Sequence, residues 1–213
     1  MSQLEAARRG DGPGIVGWPA IAKRTLDVGA ALVGLLLTGW LIVLCAAWSA
    51  RVHGSSGFFV QDRIGRYGRR FRLIKLRTMR PDPASTTSVT TALDSRITPF
   101  GAWLRRTKID ELPQLVNVLI GDMSLVGPRP DVPGFADRLE GEDRIVLSVR
   151  PGITGPATLH FRDEERLLAE QDDPEAYNRD VVFPKKVALN REYVERYSLW
   201  VDLRYLWKTV VVR

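Results

Sequence analysis

Cysteine is almost missing from this chain of 213 residues, where Cys45 stands alone. One thiol closes no intrachain disulfide and builds no cysteine-based metal site, so a reduced, cytoplasmic setting is the default. Histidine is nearly as scarce. His53 and His160 lie far apart in the chain, which argues against a zinc centre. Charge is missing from one long stretch: Val28 to Trp48, VGAALVGLLLTGWLIVLCAAW, runs 21 residues without a formal charge. As a helix the stretch reaches about 30 Å, enough to cross the hydrocarbon core of a bilayer. A buried core helix is seldom this long. A signal peptide would begin earlier, and Leu44 before Cys45 is not the small residue a lipoprotein cleavage site needs. Acids are rare after it, with Asp62 the only one between Trp48 and Arg80.

What is present in quantity is positive charge. The net charge of +6 favours anionic partners: phospholipid head groups, nucleic acid or phosphorylated substrates. Arg8, Arg9, Lys23 and Arg24 precede the apolar run, and eight basic residues from Arg63 to Arg80 follow it. Basic flanks are normally cytoplasmic, yet a helix that spans once cannot have both ends on one side. Either it spans with a basic tail outside, or it enters one leaflet, bends at Thr38-Gly39 and returns. Glycine weakens a helix, and a threonine hydroxyl can bend one by bonding back a turn.

The expected organisation is a disordered tail (1–22), a membrane helix (23–52) and a catalytic domain (53–213). The fold class is helix-dominated α+β. Phe58 to Met79 alternates as a β-hairpin with its turn at Arg66-Tyr67-Gly68, and Lys75 and Arg77 share one strand face with Phe71 and Leu73. PDPASTTSVTTA (81–92) is a polar loop. Phe100, Trp103 and Leu104 make a short amphipathic turn. Leu112, Leu115, Val116 and Leu119 recur at helical spacing, and Gly121 is a natural stop. NREYVERYSLWVDLRYLWKTVVV (190–212) carries tyrosines and tryptophans suited either to a membrane–water boundary or to the core.

Asp110 and Glu111 stand side by side before Pro113. The plainest meaning is a helix start capped by Asp110, since proline is tolerated in a first turn. A second meaning is catalytic. The helix dipole and Arg105, Arg106 and Lys108 are expected to lower the Asp110 pKa, and an ionised Asp can attack phosphorus to give an acyl phosphate. Adjacent helical residues diverge by about 100°, so the two acids divide labour, one attacking while the other holds a metal or orients a group. Gly127-Pro128-Arg129-Pro130 fixes one arginine between two prolines, a rigid guanidinium suited to phosphate. Mg²⁺ fits, because it takes one or two carboxylates plus substrate phosphates.

KRTLD (23–27), QDRIGRYGRRFRLIKLRTM (61–79), DSRITPFGAWLRRTKIDELPQLVNVLIGDMSLVGPRP (94–130), VRPGITG (149–155) and YSLWVDLRYLWKT (197–209) occur in this order. Together they resemble the bacterial sugar transferases, small monotopic phosphoglycosyl transferases. The resemblance implies transfer of a sugar 1-phosphate from a UDP-sugar to membrane polyprenol (undecaprenyl) phosphate, with release of UMP. It implies Asp110 as nucleophile, Glu111 as its partner, and Mg²⁺ at this pair. Arg129, flanked by Pro128 and Pro130, would bind phosphate, with Lys75, Arg77, Arg96, Gln114 and Asn117 near the site. It also implies a re-entrant helix with both ends cytoplasmic, interfacial helices around the catalytic core, and the inner membrane of a bacterium as the location. A homodimer is left open, and no nucleic-acid partner is expected.

Two departures stand out. The family's membrane helix breaks at a Ser-Pro pair, where this chain has Thr38-Gly39. After PGITG the chain replaces the usual short run with an acidic segment, PATLHFRDEERLLAEQDDPEAYNRDVVFPKK (156–186), which bears on the sugar end of the pocket. Two rival functions remain: a basic membrane-anchored binding module, which leaves the acid pair idle, and a Mg²⁺-dependent diphosphate hydrolase, which needs no polyprenol.

Overall fold

A computed structural model describes residues 15–82, 91 and 94–211. It is helix-dominated, with two small two-stranded sheets. The first helix, α1, runs Trp18–His53, 36 residues or about 54 Å. It begins at Trp18 rather than at the expected Lys23, because Pro19 falls in its first turn, where a missing N–H costs nothing. Residues 1–14 of the expected tail lie outside the described residues. The helix is unbroken through Thr38-Gly39. Thr38 Oγ1 donates to the Gly34 carbonyl at 2.7 Å, and the helix continues past it.

One stripe of α1 faces the body of the protein along nearly its whole length. Lys23, Asp27, Ala31, Ile42, Cys45, Ala46 and Ser49 are buried. Near the start, Lys23 Nζ donates to Asp202 Oδ2 at 2.6 Å and to the Val126 carbonyl at 3.0 Å. Arg24 donates to the Val118 and Leu119 carbonyls, and Asp27 accepts from Leu125 N–H. Near the end, Ser49 Oγ donates to the Arg77 carbonyl at 2.6 Å, and His53 Nε2 lies 3.3 Å from Thr98 Oγ1. The opposite stripe exposes Leu32, Val33, Leu36, Leu37, Trp40, Val43, Leu44 and Trp48. Between these polar ties the helix is apolar both toward the protein, at Ala31, Ile42, Cys45 and Ala46, and away from it, and it is long enough to cross a membrane by length and composition.

The hairpin forms as its alternation predicts: β1 (Phe58–Ile64) pairs antiparallel with β2 (Arg70–Leu76), Phe59 opposite Lys75, around the turn Arg66–Gly68. Next comes α2 (Pro99–Thr107), N-capped by Thr98 and burying Leu104, with Phe100 and Trp103 stacked at 5.7 Å. Lys108, in the left-handed region (φ 59), turns the chain into a 3₁₀ turn, Ile109–Glu111. Helix α3 (Gln114–Ile120) follows, closed by Gly121 at φ 95. Asp110 thus sits in the turn before the helix and does not cap it. Most of the 81–92 loop lies outside the described residues.

Strand β3 (Ser124–Val126) runs parallel to β4 (Gly152–Thr154). A Cβ at Gly127 would stand 2.5 Å from the Arg150 carbonyl, and Cβ atoms at Gly152 and Gly155 would overlap the Gly127 backbone. The Gly-Pro-Arg-Pro turn and the PGITG motif are therefore one packed unit. The acidic segment then forms α4 (Pro156–His160), α5 (Glu164–Ala169), α6 (Pro174–Tyr177) and a π-helical turn (Asn178–Val182) that leads into α7 (Phe183–Glu195). The C-terminal stretch, read as one aromatic helix, is broken after Glu195 and resumes as α8 (Leu199–Val211). Its aromatics divide: Tyr193 is core, whereas Trp200 and Trp207 are exposed.

Candidate active site

Asp110 and Glu111 meet different surroundings, as side chains leaving one turn in different directions must. Glu111 Oε1 accepts from Arg129 at 2.8 Å and from Lys75 at 3.2 Å. Burial pushes its carboxyl up, but the charges of Arg129 and Lys75 outweigh it and hold Glu111 well below the usual range. Asp110 has no such clamp. It is 6 % exposed, and its Oδ1 is buried without a hydrogen-bond partner among the described residues. Burial raises its pKa, and Lys75 opposes the rise. The expected lowering is thus reversed: a three-residue 3₁₀ turn presents little dipole, and desolvation outweighs the nearby cations.

Four residues on, in the first turn of α3, Gln114 is 2 % exposed and its Nε2 also lacks a partner. Asp110 and Gln114 thus offer an unmet acceptor and an unmet donor four residues apart. Buried polar atoms normally find partners within the protein, and these two are fit for a ligand instead. Arg63, from β1, adds a third cation. Its Nη1 donates to the Pro130 carbonyl at 3.3 Å, its Nε is buried and unpartnered, and burial with the neighbouring Arg129 lowers its pKa to about 10.

Not every expected residue joins this cluster. Lys75, Glu111 and Arg129 form one hydrogen-bonded group, and Pro128 and Pro130 frame it: Pro128 accepts from Gly152 N–H at 2.8 Å, Pro130 from Arg63. Asn117 is spent on the backbone of β2, accepting from Ile74 N–H at 3.1 Å and donating to the Arg72 carbonyl at 2.8 Å, which ties α3 to the hairpin. Arg77 keeps to the Lys75 face, its guanidinium 5.8 Å from the ring of Phe59, which stands opposite Lys75, but it is spent on backbone. Strand β2 ends at Leu76, and Arg77 reaches back to the Ser56 and Phe58 carbonyls. Arg96 grips Asp94 with a contact of 2.6 Å.

Arg63, Asp131, Glu164 and Lys186 escaped the sequence reading as site residues. Arg63 was one basic residue in a run of eight, with no signal to single it out. The others become neighbours only through the fold.

Among the described residues, no group of three or more metal-ligating side chains forms. Asp110 Oδ1, an unpartnered acceptor, fits a cation that takes its other oxygens from substrate phosphates and water, as Mg²⁺ does. Glu111 is already balanced by two cations.

Comparison with known proteins finds relatives along most of this chain. The chain is 35% identical over 204 residues to galactosyl transferase CpsE of Streptococcus agalactiae, covering 90% of this chain and 42% of that protein. It is 35% identical to the exopolysaccharide production protein ExoY of Rhizobium meliloti, covering 89% of this chain and 84% of ExoY. It is 36% identical to the UDP-glucose:undecaprenyl-phosphate glucose-1-phosphate transferase of Xanthomonas campestris, covering 90% of this chain but 38% of that protein. The family profile of the bacterial sugar transferases matches residues 18–213, and the chain belongs to that family.

Proposed function

We propose that the protein is a phosphoglycosyl transferase that moves a sugar 1-phosphate from a UDP-sugar to polyprenyl phosphate. The observation that carries this reading is a buried carboxylate with an unpartnered oxygen, Asp110 Oδ1, beside a cationic group locked by Glu111. The name of the Xanthomonas relative describes such a reaction.

Asp110 attacks the sugar-bearing phosphorus, the bond to the bridging oxygen breaks, and UMP leaves with that electron pair. An acyl phosphate to the sugar remains on Asp110. A phosphate oxygen of the polyprenyl acceptor then attacks the same phosphorus and frees the Asp110 carboxylate, leaving a polyprenyl diphosphate sugar. Arg129, Lys75 and Arg63 bind the diphosphate charge, which is most of what phosphoryl transfer asks of a protein. Glu111 keeps two of these cations aimed. Mg²⁺, held by Asp110 and by Glu111 when it yields one of its partners, would neutralise further phosphate charge.

Both ends of α1 are tied to the same body, Lys23 to Asp202 and Ser49 to Arg77. This supports a monotopic arrangement, with the helix dipping into one leaflet of the bacterial inner membrane and the site on the cytoplasmic face. The exposed stripe of α1 and the Trp200 and Trp207 rings would meet lipid.

The test is UMP release by purified protein with Mg²⁺, undecaprenyl phosphate and a panel of UDP-sugars. Release should require the lipid, cease with EDTA and cease in Asp110→Asn. Continued turnover without lipid would replace this reading with a diphosphate hydrolase.

A further inference from the structure

The acidic segment brings two adjacent carboxylates, Glu164 and Glu165, to neighbours of the Asp110 cluster. It leaves Gly155, whose backbone packs on Gly127 of the arginine-bearing turn, and after α4 reaches the start of α5. There Glu165 pairs with Arg105 of α2, five residues before Asp110 in the chain. Glu164 pairs with Lys186 of α7 at 2.6 Å, and Lys186 Nζ stands 6.0 Å from the Phe161 ring. Phe183, also on α7, meets Phe135 edge-on at 5.2 Å, so the loop after Pro130 is held against the same helix. Glu164 lies within electrostatic reach of Arg129, Arg63 and Asp131. One short helix thus bridges the flank that carries Asp110 and the flank that carries Arg129.

A UDP-sugar offers three parts to carboxylates placed there. Its diphosphate is anionic and is repelled by a carboxylate. Its uracil is a neutral imide with a single N–H donor. Its sugar is a ring of hydroxyl donors, and carboxylates accept hydroxyl hydrogen bonds strongly. Only Oε1 of Glu164 is taken up by Lys186, which leaves Oε2 to accept. We propose that Glu164, oriented by Lys186, reads the hydroxyl groups of the donor sugar and selects neutral sugars against carboxylated ones. This rests on the phosphoglycosyl transferase reading above.

The experiment compares donors that differ only at C6, hydroxymethyl against carboxylate: UDP-glucose with UDP-glucuronate, and UDP-galactose with UDP-galacturonate. The readout is the ratio of kcat/KM within each pair on a single preparation, which cancels the folded fraction. Wild type should prefer the neutral sugar. Glu164→Gln should lower kcat/KM for it about tenfold, the loss of one charge-assisted hydrogen bond, and narrow the ratio by at least that factor. Glu165→Gln, which loosens the strap without touching Glu164, should scale both donors alike. An unchanged ratio in Glu164→Gln, or the same change in both variants, overturns the assignment while leaving the transferase reading intact. A wild type inert toward every donor overturns both.

Discussion

The buried pair Lys23–Asp202 gives a sharp test of how α1 is fastened to the catalytic body. Asp202 has no exposed surface, and its carboxylate accepts from Lys23 at 2.6 Å and from Tyr193 at 2.7 Å. In Lys23→Met the cation goes and the carboxylate stays. Breaking a buried pair from one side costs about 3–5 kcal/mol, and a protein of this size loses about 2–4 °C in Tm per kcal/mol, so a fall of about 6–20 °C is expected. Burial already raises the Asp202 pKa, with Lys23 opposing it. Without Lys23 the folded-state pKa rises further above its unfolded value. A carboxyl raised in this way loses stability as pH climbs from the unfolded to the folded pKa, so the cost of Lys23→Met is larger at pH 7 than at pH 5. Adding Asp202→Asn removes the orphaned charge, keeps an acceptor for Tyr193, and should restore about 1–3 kcal/mol. Thermal unfolding of the detergent-solubilised protein at both pH values is the assay. A cost under about 1 kcal/mol, no dependence on pH, or a double variant no better than the single would refute the reasoning.

Two further outcomes follow from the geometry. With Asp110 raised by burial and by neighbouring Glu111, the acid limb of kcat/KM should lie above the ordinary carboxylate range, and activity should rise with pH across it. Glu111→Gln removes one raising charge, so whatever activity survives should show this limb at lower pH; a limb moving upward would contradict the assignment. Glycine substitutions should separate close approach from open helix. Gly152→Ala forces a methyl into the Gly127 backbone and should abolish folding. Gly39→Ala, with nothing within 4 Å, should be neutral or stabilise by up to about 1 kcal/mol in thermal melts; a large loss there would point to a functional bend at Thr38-Gly39.

The parts of the fold that the sequence made legible are those governed by local period. Alternation gave the hairpin and its turn, and 3.6-residue spacing with Gly121 gave α3. The acid pair and Arg129 were legible because their residue types suit phosphate chemistry. Asp110's burial was not, because desolvation is contributed by residues distant in the chain. Asn117 looked like a ligand-facing amide but pairs with backbone of β2, a partner invisible to side-chain patterns. KRTLD looked like a membrane flank. Lys23, Arg24 and Asp27 instead bind the 118–126 backbone and Asp202, contacts that span about a hundred residues or more. Alternation put Arg77 on the Lys75 face, where its guanidinium lies over Phe59, but could not show that it is spent on the Ser56 and Phe58 carbonyls.

The fused glycines have a consequence for how this protein can change. Gly127, Gly152 and Gly155 weld the Arg129-bearing turn to the departure point of the acidic segment, and the π-helical turn ending at Val182 re-enters the body before Tyr193 and Asp202 are reached. Everything between these two anchors is a cassette. An exchanged segment would have to replace the buried Ala157 and Leu168 and the Glu165–Arg105 pair for Asp110 and its neighbouring cations to stay in place. Chimeras cut at Gly155 and Val182 would keep one chassis and alter what it carries.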